Sequence, residues 1–373
     1  MQFNDLTAQY KKLKREIDTS IHNVLDHGKY IMGPEVFELE EKLAAYVGVK
    51  HCLSCSNGTD ALLMPLMAWG IGPGDAVFAT PFTFMATAEV ASLVGAVPVF
   101  VDIDEDTFNI DPEQLEKAIV RVKNEGKLNP KVIIPVDLFG LPADYNRIEL
   151  IANKYNLKIL EDAAQGFGGV YKGRKAGSFG DVAATSFFPA KPLGCYGDGG
   201  AIFTNDDELV GILKSIRVHG QGSDKYNNVR IGLNARLDTI QAAILLPKFK
   251  AFVDYELEAR NRVAAMYTEG LKGIVKTPVV PEGLVSSWAQ YSVLAESSSD
   301  RAIYQERLKA AGIPMMVYYH KPLHLQNAYS GLGYKKGDFP ISEDVSERIF
   351  SLPMHPYLEQ HDIQKIINGF VNK

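Results

Sequence analysis

The stretch Thr185-Ser186-Phe187-Phe188-Pro189-Ala190-Lys191-Pro192-Leu193-Gly194 places a lysine between a short apolar segment and a glycine-rich turn. Upstream, a second apolar run ends in acid, Leu157-Lys158-Ile159-Leu160-Glu161-Asp162. Lys191 and Asp162 are the residue types that a pyridoxal phosphate (PLP) enzyme needs: an amine for the Schiff base, and a carboxylate that keeps the pyridine nitrogen protonated so that the ring accepts electrons. Taken alone, Lys191 could equally be a surface lysine and Asp162 a helix-capping residue. The other motifs of the chain are therefore needed to distinguish a cofactor site from these structural roles.

Composition limits the classes of function. The chain has 373 residues, enough for a large and a small domain, each with its own core. The formal net charge is −6 and there is no basic tract, so we expect no nucleic-acid partner. No apolar run reaches the roughly 18 residues of a membrane span, and the first residues lack the features of a signal peptide, so we expect no membrane partner.

The cysteines predict structure rather than chemistry. Cys52 and Cys55 form a CxxC motif, but there is no second pair and no histidine cluster beside it, so we expect no metal. The segment 51–55 is typical of a buried strand, in which free cysteine packs as a small apolar residue. Free thiols favour the reducing cytoplasm as the compartment.

Hydrophobic periodicity predicts an α/β protein. Amphipathic helices are predicted at 9–26 and 35–46. Apolar strands are predicted at 76–80, 97–101, 131–136, 157–161, 182–187 and 200–204, with helices at 60–69, 86–94 and 145–155. This alternation indicates a mostly parallel sheet covered on both faces, in which ligands bind beyond the carboxyl ends of the strands.

The last third of the chain has a different pattern. A long helical region is predicted at 236–271, followed by a strand at 288–294 and helices at 301–311 and 359–370. We therefore divide the chain into a large α/β domain, 1–250, and a connecting helix with a smaller C-terminal α+β domain, 251–373.

Several turns carry candidate ligand-binding groups. Asn57-Gly58-Thr59 follows a strand and opens a helix, and Ser186 adds a hydroxyl group, so these residues suit a phosphate. An aromatic residue of the segment 81–88 could stack on a flat heterocycle. Asp162 and Gln165, three residues apart, are predicted to share a face at the start of a helix. Gly194–Gly200 supplies glycines for a close approach of the backbone to a ligand.

Taken together, these motifs resemble the DegT/DnrJ/EryC1/StrS family of sugar aminotransferases, over nearly the whole chain and in the family's order. The motifs are Asn57-Gly58-Thr59, Phe82-Thr83-Phe84, Glu161-Asp162-Ala163-Ala164-Gln165, the segment 186–191 and Gly197-Asp198-Gly199-Gly200. The resemblance implies the type I PLP aminotransferase fold, PLP as cofactor, and a homodimer with active sites shared between subunits.

The resemblance also implies roles for individual residues. Lys191 would be the Schiff-base lysine, Asp162 would pair with the pyridine nitrogen, and Gln165 would lie near the ring hydroxyl. Residues with other cofactor-binding roles would be Phe84, stacked on the ring; Gly58, Thr59 and Ser186, on the phosphate; and Asn234, lent to the phosphate by the partner subunit. Lysine, rather than histidine, at position 191 argues against the branch of the family that performs dehydration.

The segments 186–200, 202–209 and 234–248 are similar to the enzymes that aminate UDP-2-acetamido-2-deoxy-3-oxo-glucuronate at C3 in bacterial O-antigen biosynthesis. L-glutamate would be the amine donor and leave as 2-oxoglutarate. A uronate requires a cationic partner, and the candidate substrate residues are Arg217, His219, Arg230, Arg236, Tyr318 and His320.

Two alternatives stay open at this stage. The chain could aminate C3 or C4 of a dTDP- or UDP-linked keto-6-deoxyhexose, which requires the same catalytic residues. It could also be a non-catalytic relative that binds PLP or a sugar nucleotide, although Lys191, Asp162 and Gln165 are all present.

Overall fold

The computed structural model describes residues 1–224 and 226–371. The strands are β1 (His51–Cys55), β2 (Asp75–Ala79), β3 (Val97–Phe100), β4 (Asn129–Ile134), β5 (Lys158–Asp162), β6 (Val170–Tyr171), β7 (Arg174–Lys175), β8 (Val182–Ser186), β9 (Gly200–Thr204), β10 (Leu284–Val285), β11 (Tyr291–Leu294) and β12 (Ile349–Leu352). The helices are α1 (Leu6–His27), α2 (Pro34–Val47), α3 (Gly58–Ala68), α4 (Ala86–Leu93), α5 (Pro112–Glu125), α6 (Tyr145–Tyr155), α7 (Asp207–Arg217), α8 (Thr239–Ala251), α9 (Leu257–Gly270), α10 (Ser298–Ala310), α11 (Pro340–Arg348) and α12 (Gln360–Val371).

The central sheet is the scaffold of the molecule. Within the described residues it has seven strands in the order β1-β9-β8-β5-β4-β2-β3. The pairs from β8 to β3 are parallel, whereas β9 pairs antiparallel with both β8 and β1. Strands such as β8 are apolar and almost fully buried because helices cover both faces of the sheet. The prediction of a mostly parallel α/β sheet is confirmed.

Helices pack on the two faces through separate apolar clusters. On one face, Leu62 of α3, Val90 of α4 and Leu213 of α7 pack together. On the other face, residues of α5 and α6 pack at the β4 side, and residues of α2 and α8 pack at the β8 side. Burying one such side chain contributes about 1.5–3 kcal/mol, so each cluster ties its helices firmly to the strands.

The predicted long helical region is confirmed with one difference. It begins at Thr239, and a π-helical turn, Phe252–Glu256, joins α8 to α9. Leu13 and Ile17 of α1 pack against Ile244 of α8. The predicted limit between residues 250 and 251 falls inside this helical run.

The C-terminal part has its own small core. β11 and β12 pair antiparallel, and residues of α9, α10 and α12 pack against them. The predicted strand at 288–294 is shorter than expected and begins at Tyr291. In residues 1–224 and 226–371, no helix combines the length and the apolar character needed to cross a membrane.

The three cysteines lie in the core, as predicted. Cys52 and Cys55 belong to β1, Cys195 follows Lys191 in the chain, and all three are buried free thiols. Burial raises the pKa of Cys55 to about 12 and that of Cys195 to about 11, so these thiols stay protonated at neutral pH.

Arg217 is a structural residue, so its prediction as a substrate contact is wrong. The side chain is buried at the end of α7, where Nη1 donates to Glu40 Oε1 of α2 at 2.7 Å and to the Ser54 carbonyl oxygen of β1 at 2.9 Å. The same Glu40 oxygen accepts bonds from the backbone N–H and the hydroxyl of Ser54. A guanidinium held in this way is not free to meet a carboxylate in solution.

The first prediction concerns this ion pair. Glu40→Ala leaves the Arg217 charge buried without its partner, so we expect the free energy of unfolding to fall by about 3–5 kcal/mol. The matched control is Glu258→Ala, which removes an exposed pair with Arg262 and should cost less than about 1 kcal/mol. Urea unfolding of both variants measures the difference, and equal small losses would contradict a structural role for Arg217.

Candidate active site

The candidate site lies where two parallel strands end side by side. Asp162 is the last residue of β5 and pairs in register with Ala184 of β8. Ser186 ends β8, and Lys191 follows five residues later in the loop that leads to β9. Because parallel strands end at the same edge of a sheet, the acid and the lysine loop face the same space.

Asp162 and Lys191 perturb each other. Asp162 is buried, and its Oδ2 accepts a bond from the Thr87 hydroxyl at 2.8 Å while Oδ1 accepts from the Ala164 N–H at 3.2 Å. Burial raises the pKa of Asp162, an effect that these bonds and the charge of Lys191 oppose. Burial also lowers the pKa of Lys191, opposed by the charge of Asp162. A lysine with a lowered pKa is more often neutral and therefore more nucleophilic.

A cradle for an anion forms beside these two residues. The N-terminus of α3 begins at Gly58, capped by the Asn57 side chain, which accepts from the Asp60 N–H at 2.7 Å. Gly58 packs so closely on Ser186 that a Cβ at position 58 would lie 2.6 Å from the Ser186 Cβ. The N-terminus of α3, which carries Thr59, therefore lies against Ser186. The free N–H groups and hydroxyl groups of this region suit the binding of an anion.

Gln165 lies in a turn, so the prediction that it shares a helix start with Asp162 is wrong. Residues 164–168 form turns, and Gly168 has a φ of +98°, which a helix cannot accommodate. Gln165 is nevertheless buried and fixed at both ends of its amide. Its Oε1 accepts from the Phe139 N–H at 2.8 Å, and its Nε2 donates to the Tyr319 hydroxyl at 3.3 Å.

Two predicted cofactor contacts lie at the surface of the single chain. The Phe84 side chain is 58% exposed, at the start of the segment that leads into α4. Asn234 is exposed, and its Oδ1 accepts a short bond from Arg236. Both residues are therefore available to a ligand or to a second subunit.

The remaining substrate candidates are dispersed. His219 and Arg230 are exposed in the segment between α7 and α8, and Arg236 is half-buried there. Tyr318 is half-buried with its ring 6.4 Å from that of Phe3, and His320 is exposed.

The structure adds two residues that sequence reasoning missed. Thr87 holds Asp162, and the Thr83 and Thr87 hydroxyls are 3.1 Å apart. Thr83 lies in the bend before α4 and Thr87 in its first turn, so no helical spacing in the sequence signalled this contact. Tyr319 reaches Gln165 from a segment 154 residues away in the chain, a contact with no local signal.

The residues fit PLP. A close Gly58–Ser186 contact at a helix N-terminus suits the phosphate, a buried carboxylate suits the pyridine nitrogen, and a lysine with a lowered pKa suits the aldehyde. A doubly covered, mostly parallel sheet with these groups at its strand ends defines a PLP-dependent aminotransferase.

Comparison with known proteins agrees with this class. The model of the DegT/DnrJ/EryC1/StrS aminotransferase family matches residues 11–371, and the chain belongs to that family. It is 48% identical, over 100% of both chains, to the UDP-2-acetamido-2-deoxy-3-oxo-D-glucuronate aminotransferase of Pseudomonas aeruginosa.

Solved structures share the fold. A DegT DnrJ EryC1 StrS aminotransferase from Brucella abortus superposes with a TM-score of 0.96 at 55% identity, covering 100% of this chain and 98% of that one. Spr1654 from Streptococcus pneumoniae, in its PLP form, superposes with a TM-score of 0.89 at 29% identity, covering 95% of each chain. The cofactor of this chain is PLP.

The second prediction tests the cradle. Gly58→Ala puts a methyl group into the Ser186 contact, so we expect the dissociation constant for PLP to rise at least about tenfold, the equivalent of one lost hydrogen bond to a charged group. Gly211→Ala is the matched control, because its Cβ would meet nothing within 4 Å, and it should bind PLP as the wild type does. Fluorescence titration of the apo-protein measures both constants, and unchanged affinity in Gly58→Ala would contradict the cradle.

Proposed function

We propose that this chain transfers the amino group of L-glutamate to C3 of UDP-2-acetamido-2-deoxy-3-oxo-glucuronate, in the biosynthesis of an O-antigen or related surface polysaccharide. The observation that carries this proposal is the 48% identity, over the full length of both chains, to an enzyme named for that keto-sugar. Glutamate would leave as 2-oxoglutarate, and the keto-sugar would leave as the amino sugar.

The proposed cofactor contacts follow the site geometry. Lys191 binds PLP through its amine. Asp162, held by the hydrogen bond from the Thr87 hydroxyl, pairs with the pyridine nitrogen. Gln165, fixed by Phe139 and Tyr319, meets the ring hydroxyl. The phosphate group lies in the cradle that Gly58, Thr59 and Ser186 form at the start of α3, and Phe84 stacks on the ring.

When bound, PLP supplies an electron sink that stabilises negative charge on the carbon being deprotonated. The protein residues supply the rest. The Asp162 carboxylate favours the protonated ring nitrogen, because the two opposite charges share a desolvated space. The Nζ atom of Lys191, once released from the cofactor, takes the proton from one carbon and returns it to another, for which its lowered pKa is suited.

The proposed active unit is a homodimer. Several large apolar side chains in segments that carry proposed site residues are exposed in the single chain: Phe84, Phe188, Val229 and Ile231. Ile231 is 85% exposed, and it lies three residues before Asn234, which we propose reaches the phosphate of the partner subunit. Apolar exposure of this kind is typical of an interface between subunits.

Recognition of the uronate is assigned to three cations, of which His219 and Arg230 are exposed and Arg236 is half-buried. His219, Arg230 and Arg236 lie in the segment between α7 and α8. A guanidinium can bind the carboxylate or the pyrophosphate in a bidentate manner. Tyr318 and His320, from the C-terminal part, are the proposed contacts on the sugar.

Two further points belong to the proposal. The chain divides into 1–250 and 251–373, a division supported by the separate apolar core of α9, α10, α12, β11 and β12. The proposed compartment is the cytoplasm, which is supported by three cysteines that lie buried as free thiols.

The third prediction tests the substrate directly. The holoenzyme with glutamate should aminate UDP-2-acetamido-2-deoxy-3-oxo-glucuronate, generated in the assay by a dehydrogenase, with a kcat/KM at least about a hundredfold above that for a dTDP-3-keto-6-deoxyhexose or a UDP-4-keto sugar. A buried or partly buried charge-assisted contact to the carboxylate, worth about 1.5–3 kcal/mol, gives most of this ratio. Mass spectrometry of the products measures the turnover.

The outcomes separate the alternatives. Preferred turnover of a neutral keto-sugar would contradict the uronate and favour the deoxyhexose alternative. Loss of the PLP absorbance band with glutamate, but no turnover of any of the three sugars, would contradict all of these substrates. A band that glutamate leaves unchanged would contradict the donor and favour a non-catalytic binder. Lys191→Ala is the negative control for each arm.

A further inference from the structure

A pair of buried acids, Glu161 of β5 and Asp137 after β4, lies close to Asp162. Alternate residues of a strand point to opposite faces, so Glu161 of β5 points away from the PLP site. It is fully buried, and its two oxygens accept from the Gly177 N–H at 2.6 Å and the Phe179 N–H at 2.8 Å. Asp137, which follows β4, is fully buried beside it.

The two carboxyl groups contact each other. Asp137 Oδ1 accepts from the Tyr145 hydroxyl at 2.8 Å and from the Ala143 N–H at 3.1 Å. Asp137 Oδ2 receives no bond from an N–H or hydroxyl group of the described residues, and the Glu161 carboxyl group is within hydrogen-bonding reach of Asp137. Two carboxylates within hydrogen-bonding reach cannot both stay ionised in a desolvated space, so a proton shared between the two groups is favoured.

Among the described residues, the groups that act on this pair are carboxyl, hydroxyl and backbone N–H groups. Tyr145 faces the pair from α6, and Asp162 approaches from the end of β5. The guanidinium of Arg174 on β7 lies over the Phe179 ring, 4.5 Å from its centroid, and is paired with Glu149. Burial raises the pKa of Asp137 to about 7 and that of Glu161 well above its ordinary value.

The pair is connected to the cofactor side by short bonds. The Asp137 N–H donates to the Asp162 carbonyl oxygen at 3.1 Å. Two residues further on, the Phe139 N–H donates to the Gln165 side chain. Gly166 packs against Asp137 so closely that a Cβ there would lie 2.4 Å from Oδ2. The two segments that carry Asp162 and Gln165 therefore rest on Asp137.

We propose that Asp137 and Glu161 form a one-proton carboxyl pair that positions Asp162 and Gln165 from behind the sheet. They are positioning residues, since neither touches the cofactor site directly. The inference rests on the roles proposed above for Asp162 and Gln165, but its first test needs neither cofactor nor substrate. Loss of the shared proton would set two buried negative charges against each other and loosen both segments.

The fourth prediction uses Asp137→Asn. The amide oxygen can accept the bonds from Tyr145 and Ala143, and the amide N–H can donate to ionised Glu161, so the variant needs no shared proton. Because the folded wild type holds a proton that the unfolded chain has already lost, its stability should fall as pH rises from about 5 through about 7, the raised pKa of Asp137. The unfolding constant changes by up to about tenfold per pH unit for one proton.

The first readout is the unfolding midpoint of the apo-protein between pH 5 and 8.5. We expect Asp137→Asn to gain stability relative to the wild type as pH rises. Asp102→Asn is the matched control, because Asp102 is a buried acid that caps α11 through Ser342, away from the pair. It should lower the midpoint without changing the pH dependence over this range. Parallel curves for the wild type and Asp137→Asn would overturn the shared proton.

A second readout detects the proton itself. Infrared difference spectra at pH 6 should show a protonated carboxylic acid band in the wild type that Asp137→Asn lacks. A third readout tests positioning. The dissociation constant for PLP should rise more in the wild type than in Asp137→Asn between pH 6 and pH 8.5, so the ratio of the wild-type constant to the variant constant should increase. A constant ratio, with the infrared band present, would overturn positioning and leave a purely structural pair. Failure of the proposed sugar assay would affect none of these measurements.

Discussion

The structure depends on keeping one carboxylate, Asp162, out of water at the edge of a parallel sheet. Burial alone would favour its neutral form, which could not hold a protonated pyridine nitrogen. The Thr87 hydroxyl, the Ala164 N–H and the charge of Lys191 oppose that tendency. The strand β5 is central in the sheet so that this charge can be desolvated and still be held in a fixed position.

The surrounding elements reach this carboxylate from distant parts of the chain. The loop after β8 brings Lys191, the start of α3 brings the anion cradle, and the C-terminal part brings Tyr319 to Gln165. Ser287 adds a bond from its hydroxyl to the Gln165 carbonyl oxygen at 2.8 Å. Strands, helices and the loops that they anchor thus fix the residues around Asp162 and Gln165. Phe84 and Ile231 are exposed and therefore available to a ligand or a second subunit.

Local signals predicted much of this arrangement. Periodicity predicted the core strands within about two residues, because a doubly covered strand must be apolar throughout. The sequence also contains N-capping residues for α5 and α7, Asp111 and Asp206. Both side chains accept hydrogen bonds from backbone N–H groups at the starts of these helices. The helix expected after Asp162 is absent, and residues 164–168 form turns instead.

Long-range contacts were outside the reach of such signals. Nothing near Arg217 indicates that Glu40, 177 residues away, holds its guanidinium. The pairing of Asp137 with Glu161 depends on which strands become neighbours, and spacing along the chain does not encode that order. The partners of these charged residues could therefore be read only from the fold.

We propose that Lys191 carries the cofactor, and reductive trapping of the bound cofactor identifies the residue to which it is attached. The holoenzyme is reduced with borohydride, digested, and its peptides are analysed by mass spectrometry. The account predicts a pyridoxyl group on Lys191 and no modified peptide in a Lys191→Ala protein treated in the same way. A stably modified lysine elsewhere, such as the buried Lys248, or a cofactor removed intact by dialysis after reduction, would contradict the account.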